Sequence, residues 1–151
     1  MKIKEIKIFQ VNLTMKEGHY SWSNQSFRSF DSTVVQIITN QGISGFGEIC
    51  PLGPSYLPSY SEGVRVGIKK LSEILLGKDP SNINNINFLM DNALKGHPYV
   101  KSAVDIACWD ILGKKMNIPV YTLLGGKLQS KVKLFKVISR DIPEIMQEKV
   151  N

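Results

Sequence analysis

The sequence predicts an α+β fold: a three-stranded antiparallel meander, then a helical bundle, then one further strand and helix. Three observations predict it. Residues 2–50 contain β-branched, alternating stretches separated by turn residues. Residues 61–116 carry apolar residues at helical spacing. Residues 132–150 return to one strand pattern and one helix pattern.

Residues 2–13 alternate as a strand, with Ile6 and Ile8 on one face. Phe9, Val11 and Leu13 then continue on odd positions, so the spacing predicts a bulge or strong twist near Phe9. Thr14 to Asp31 reads as a long polar-aromatic loop containing His19, Tyr20, Trp22, Phe27 and Phe30. Structureless loops of that length are uncommon, and two readings stay open: a lid, or aromatics that pin the loop to its own domain. Residues 32–40, STVVQIITN, are a clear second strand. Asn40, Gln41 and Gly42 supply the turn, and Ile43 to Cys50 forms the third strand. Gly45 and Gly47 share one side of it, leaving room for another backbone or helix to come close.

Cys50 to Tyr60, CPLGPSYLPSY, is stiffened by three prolines and a glycine. Either it holds Tyr56 outward for something to land on, or its tyrosines pack inward. Ser61 to Leu76 is amphipathic through Val64, Ile68, Leu71 and Leu75, and Gly77 and Pro80 end it. A second helix spans 83–95 through Ile83, Ile86, Leu89, Met90 and Leu94. Gly96, His97 and Pro98 turn the chain, with His97 as a turn or cap residue.

The third helix organises the rest. Pro98 suits its first turn, and nothing breaks it before Asn117 and Pro119. Val100, Ala103, Val104, Ala107, Cys108 and Ile111 share one face; Ile106, Trp109 and Met116 cluster on nearly the opposite one. Lys101–Asp105 and Asp110–Lys114 are spaced for i,i+4 attraction. A helix apolar on two faces is expected to be covered on both. Val120 to Leu124 makes a short turn closed by Gly125 and Gly126. Val132 to Ile138 reads as a strand, and Asp141 with Glu144 fits a capping box for a helix over 142–150.

The composition narrows the function. At 151 residues and 42% hydrophobic, the chain can bury a real core. No apolar run approaches the ~20 residues that a bilayer-spanning helix requires. The start, MKIKEIKIFQ, is unlike a secretory signal, and Cys50 and Cys108 have no second pair for a metal site. A cytoplasmic protein with reduced thiols is expected. A formal charge of +6 could suit nucleic acid, but the lysines are scattered and no basic cluster carries stacking aromatics. No nucleic-acid or membrane partner is expected.

From Ala103 to Gly126, Asp105, Ala107, Trp109, Asp110, Gly113, Lys114, Pro119 and Leu123-Leu124-Gly125-Gly126 fall at a familiar spacing. They resemble the N-terminal capping domain of the mandelate racemase and muconate lactonizing subgroup of the enolase superfamily. Val100 departs slightly, since a small residue is usual there. Glu48 to Gly67 is similar, more narrowly, to 4-hydroxyproline betaine 2-epimerases and cis-3-hydroxyproline dehydratases. The resemblance implies an enolase N-terminal-domain-like fold over 1–126, and over 127–151 the first βα unit of a truncated (β/α) barrel. It implies a Mg²⁺-dependent racemase, epimerase or dehydratase that removes the proton α to a carboxylate, with a proline betaine or hydroxyproline-like substrate. Barrel lysines would be the acid and base, and barrel carboxylates would hold the Mg²⁺. The capping domain would add two loops, Thr14–Asp31 and Cys50–Tyr60, with Tyr56, His19, Tyr20 and Trp22 as substrate contacts. Partners implied are a small carboxylate substrate, the barrel of the same polypeptide, and further copies in a homo-oligomer.

A (β/α)₈ barrel takes about 250 residues, and one strand and one helix cannot close it. Lys131 and Lys133 imitate the family's Lys-x-Lys pair, but they sit at the start of the strand, and catalytic groups sit at strand C-terminal ends. Asp105 and Asp110, five apart on a helix, diverge in direction and read as structural. No catalytic or metal residue is therefore expected in this chain, and the isolated chain is expected to be an inactive fragment. The competing expectation is a non-catalytic α+β interaction module or pseudoenzyme.

Overall fold

A computed structural model describes residues 1–150. The elements are β1 (Ile3–Thr14), β2 (Tyr20–Trp22), β3 (Gln25–Phe27), β4 (Ser29–Thr39), β5 (Ser44–Ile49), α1 (Ser61–Leu75), α2 (Ile83–Ala93), α3 (Pro98–Met116), α4 (Val120–Leu123) and α5 (Pro143–Val150). They form two compact units. One comprises Met1–Val11 and Asp31–Lys127; the other comprises Asn12–Phe30 and the chain from Leu128 on.

In the first unit a sheet of order β1-β4-β5 carries the helices on one face. Alternation decides which face. Thr33, Val35 and Ile37 are buried and sit opposite Ile49, Gly47 and Gly45 in the antiparallel register. The helices meet that face with Val64, Ile68, Leu71 and Leu75 from α1, Ile86 and Met90 from α2, and the small-residue stripe of α3. Each large aliphatic buried there contributes about 1.5–3 kcal/mol.

The closest packing is between α3 and β5. A Cβ on Gly47 would strike the carbonyl oxygen of Ala103, and one on Gly45 that of Ala107. The two repeats match in pitch: four helical residues rise about 6 Å, and two strand residues about 7 Å. Glycine facing alanine thus lets a helix lie directly on a strand. Local chemistry fixes the helix ends. Asn82 Oδ1 accepts the Asn85 N–H at 3.2 Å and caps α2. Asn117, at φ 55°, ends α3 in the left-handed conformation while the Ile118 N–H returns to the Gly113 carbonyl at 3.0 Å. The first strand is clipped to the end of α1 by Ile3 N–H to Lys78 O at 2.8 Å and Gly77 N–H to Ile3 O at 2.9 Å.

Several expectations are corrected. The long loop over 14–31 is not structureless: β2 and β3 form a hairpin, Tyr20 opposite Phe27 and Trp22 opposite Gln25. Short alternating polar and aromatic residues had masked a strand pair. In β1 the half-buried positions run Ile6, Ile8 and then Val11, so the phase shifts around Phe9 as the spacing predicts, although Phe9 and Leu13 themselves are exposed. Lys101 does not pair with Asp105. It reaches Asp91 at 2.6 Å, and Asp105 accepts from Asn87 Nδ2 at 2.9 Å, so partners on α2 win over a weak i,i+4 attraction. The strand expected over 132–138 does not form, and Leu134 and Phe135 are more than nine-tenths exposed. β-Propensity without a neighbouring strand makes no ladder. The last helix starts one residue late, and Asp141 Oδ1 takes the Ile142 N–H at 3.0 Å instead of capping the third residue on. The second apolar face of α3 is no correction, since its cover is expected from the barrel: Ile106 and Met116 are about half exposed here, and Trp109 is half-buried.

Candidate functional site

Two stretches hold the residues singled out in the sequence, and they lie in different compact units. In the first unit, residues 50–60 leave β5 and return at α1. Gly53, at φ 96°, turns the chain, and its carbonyl accepts the N–H groups of Tyr56 at 3.1 Å and Leu57 at 3.0 Å. Pro54 and Pro58 limit the remaining freedom. The loop holds Tyr56 outward, 59% exposed. Tyr60, also exposed, lays its ring against Gly63, where a Cβ would come within 2.9 Å of it.

Both ends of this loop close on one residue, Asp31. Its carbonyl accepts the Ser61 hydroxyl at 2.6 Å and, more weakly, the Cys50 thiol at 3.8 Å. Its carboxylate takes a two-pronged bond from Arg65, 2.9 Å at each oxygen. Arg65 Nη1 also reaches Thr33 Oγ1 at 3.3 Å. Next door, the Ser32 hydroxyl donates to Glu48 Oε1 at 2.5 Å. Burial pushes the Cys50 thiol above its ordinary pKa; a hydrogen bond with Ser32 opposes this, and the Glu48 and Asp31 charges add to it. The thiol therefore stays protonated at neutral pH. Sequence reasoning missed this cluster, because Asp31 and Arg65 share no helix face or turn that spacing could show.

In the second unit the hairpin gathers aromatics. Trp22 stacks on Phe27 with centroids 4.8 Å apart, Tyr20 lies 5.0 Å from Trp22, and Phe30 closes the group 5.3 Å from Phe27. Ser21 anchors it: its N–H donates to Ser139 Oγ at 2.8 Å, and its carbonyl accepts the Arg140 N–H at 2.9 Å. His19 Nε2 stands 3.7 Å from Asp141 Oδ2, a carboxylate that Lys149 approaches to 3.6 Å. Tyr20 and Trp22 thus belong to one aromatic cluster, and His19 to a charged one beside it.

Metal chemistry does not fit here. Among the described residues no group of three His, Cys, Asp or Glu side chains could hold an ion. Asp110 accepts the Phe46 N–H at 2.9 Å and Lys114 at 2.7 Å, so like Asp105 it is structurally engaged. Lys131 and Lys133 are exposed. Among the described residues no helix is long and apolar enough to cross a membrane.

Comparison with known proteins gives a consistent answer. Residues 3–125 match the mandelate racemase / muconate lactonizing enzyme N-terminal domain. The chain is 56% identical over 151 residues to cis-3-hydroxy-L-proline dehydratase of Roseibium aggregatum, covering 99% of this chain and 41% of that protein. N-succinyl Arg/Lys racemase from Bacillus cereus superposes with a TM-score of 0.92 at 35% identity, over 99% of this chain and 40% of that one. An enolase-superfamily member from Roseovarius nubinhibens, crystallised with magnesium, gives 0.86 at 40% identity over 99% and 40% of the two chains. The sequence spans about two fifths of the length of these relatives.

Proposed function

The chain belongs to the mandelate racemase / muconate lactonizing enzyme family of the enolase superfamily, and on that premise we propose that it is the substrate-selecting cover of a cytoplasmic enzyme acting on a hydroxyproline- or proline-betaine-like carboxylate. The reaction starts with removal of the proton α to the carboxylate and ends in dehydration or epimerisation. The identity of 56% to a hydroxyproline dehydratase, over 99% of this chain, carries this reading. Residues 1–126 form the cover, and 127 onward begins the barrel. On this reading the Mg²⁺ ligands and proton-transfer bases belong to the barrel: Asp31, Asp105 and Asp110 are engaged by Arg65, Asn87 and the Phe46 N–H, and no group of three His, Cys, Asp or Glu among the described residues could hold an ion.

The work left to this chain is to bind and to exclude water. Tyr56, held outward by a proline-stiffened loop, offers its ring face to the substrate ammonium, worth about 1–2 kcal/mol once desolvated. The aromatic hairpin with Tyr20, Trp22 and neighbouring His19 shields the reacting carbon from solvent. The test uses the intact barrel-bearing polypeptide, with Mg²⁺ and cis-3-hydroxy-L-proline or a 4-hydroxyproline betaine in D₂O. Exchange of the α-proton, with or without loss of water, is expected from that protein and not from residues 1–151 alone. Absence of exchange on every proline derivative would sink the substrate class; turnover by residues 1–151 would sink the division of labour.

A further inference from the structure

We propose that Asp31 and Arg65 are positioning residues, whose two-pronged ion pair fixes the root of the 50–60 loop and thereby sets how tightly substrate is held. The proposal rests on the reading of Tyr56 as a substrate contact.

The geometry is that of an Ω-loop closed on a single residue. The loop begins at Cys50 and ends at Ser61, and the side chains of both donate to the Asp31 carbonyl. A backbone carbonyl can serve as such a knot only if its own residue is held still. Asp31 is held by its side chain: Arg65 spans both carboxylate oxygens at 2.9 Å, and the pair is less than one-third exposed on either side. Arg65 lies one helical turn after Ser61, so the same stretch of α1 grips Asp31 at carboxylate and carbonyl alike. Thr33 and the Ser32–Glu48 bond tie the adjacent strand residues. Asp31 is also where the chain re-enters the first unit after residues 12–30.

A fork of this kind cannot be replaced by a point charge. Lysine at 65 keeps the charge and loses the second prong. An ion pair that served only the packing of α1 on the sheet would change global stability and leave the loop no looser than the core.

The experiment has two arms. In the first, amide hydrogen exchange of the 151-residue chain follows the N–H groups of Tyr56, Leu57 and Ser59, which bond to Gly53 and Leu57 carbonyls. Arg65→Gln and Asp31→Asn should speed their exchange about tenfold. Arg65→Lys should give a smaller increase, and amides at Ala107 and Ile111 should hold in all three. Unchanged loop exchange, or an equal rise throughout, overturns the anchor. Arg65→Lys keeps the test sharp should Arg65→Gln fail to fold. In the second arm, the barrel-bearing enzyme carrying Arg65→Lys should show a raised KM for its proline-derived substrate with kcat unchanged. A lowered kcat at constant KM overturns the positioning role. If the unaltered enzyme turns over no proline derivative, the functional reading falls and takes the effect on substrate with it, while the exchange arm still judges the anchor.

Discussion

Tyr56 and Cys108 show how differently single residues are used here. Tyr56 stands 59% exposed on a stiff loop. Replacing it with alanine in the barrel-bearing enzyme should raise KM for a quaternary-ammonium substrate about tenfold and leave metal affinity unchanged. Equal KM values across betaine substrates would remove Tyr56 from the site. Cys108 is fully buried on the core-facing side of α3, and burial, with a smaller push from the Asp105 charge, raises its thiol to about 12 from an ordinary 9.0. The folded state therefore keeps a proton that the unfolded chain releases. The stabilisation is complete below pH 9 and disappears as pH climbs toward 12, at about 1.4 kcal/mol per pH unit. Urea titrations at pH 8 and 10 should show the drop, and Cys108→Ala should reduce it; an identical drop in that variant would assign it to other groups. Residue-level legibility was uneven. The core stripe from Val100 to Ile111 followed from helical periodicity, because local spacing alone determines it. The Arg65–Asp31 fork and the meeting of His19 with Asp141 did not, because a single sequence carries no record of which distant charges the chain's path brings together.

At the scale of elements, the fit of α3 on β5 is the feature that tolerates least. Gly45 and Gly47 were readable as a place of close approach, since glycines on one side of a strand leave room for another backbone or helix; that Ala103 and Ala107 fill it was not, because spacing does not pair a helix with a strand. Gly47→Ala adds one methyl group pointing into the Ala103 carbonyl, and backbone cannot step aside as a flexible side chain can. The substitution should cost about 1–3 kcal/mol, whereas Gly42→Ala, in open space but at φ 80°, should cost about 1 kcal/mol through backbone strain alone. Chemical denaturation of both variants checks the order; a Gly47 variant as stable as the parent would mean that helix and strand are less closely opposed. The hairpin over 20–27 was not legible, because each strand is three residues long and the turn at Ser23–Asn24 lacks the glycine that usually marks one.

At the scale of the whole molecule, the apolar surface left outside explains where the sequence and the fold part company. Residues 132–138 have the composition of a strand yet form none, and Leu134, Phe135 and Val132 stand largely in solvent. The same is true of Ile106 and Met116 on the uncovered side of α3. A strand pattern is half an instruction: it names residues suited to a pleated, covered surface and leaves the neighbours that would cover it to other parts of a chain. In the proposed enzyme those neighbours are barrel strands. Lys131, Lys133 and Lys136 report on this directly, because all three are exposed and carry no ladder in this chain. Brief trypsin treatment of residues 1–151 should cut at these lysines well before those in α1 or α3. In the barrel-bearing polypeptide, under the same conditions, the three sites should be protected, because paired backbone does not fit a protease cleft. Equal cleavage in the two proteins would mean that residues 132–138 are not a barrel strand.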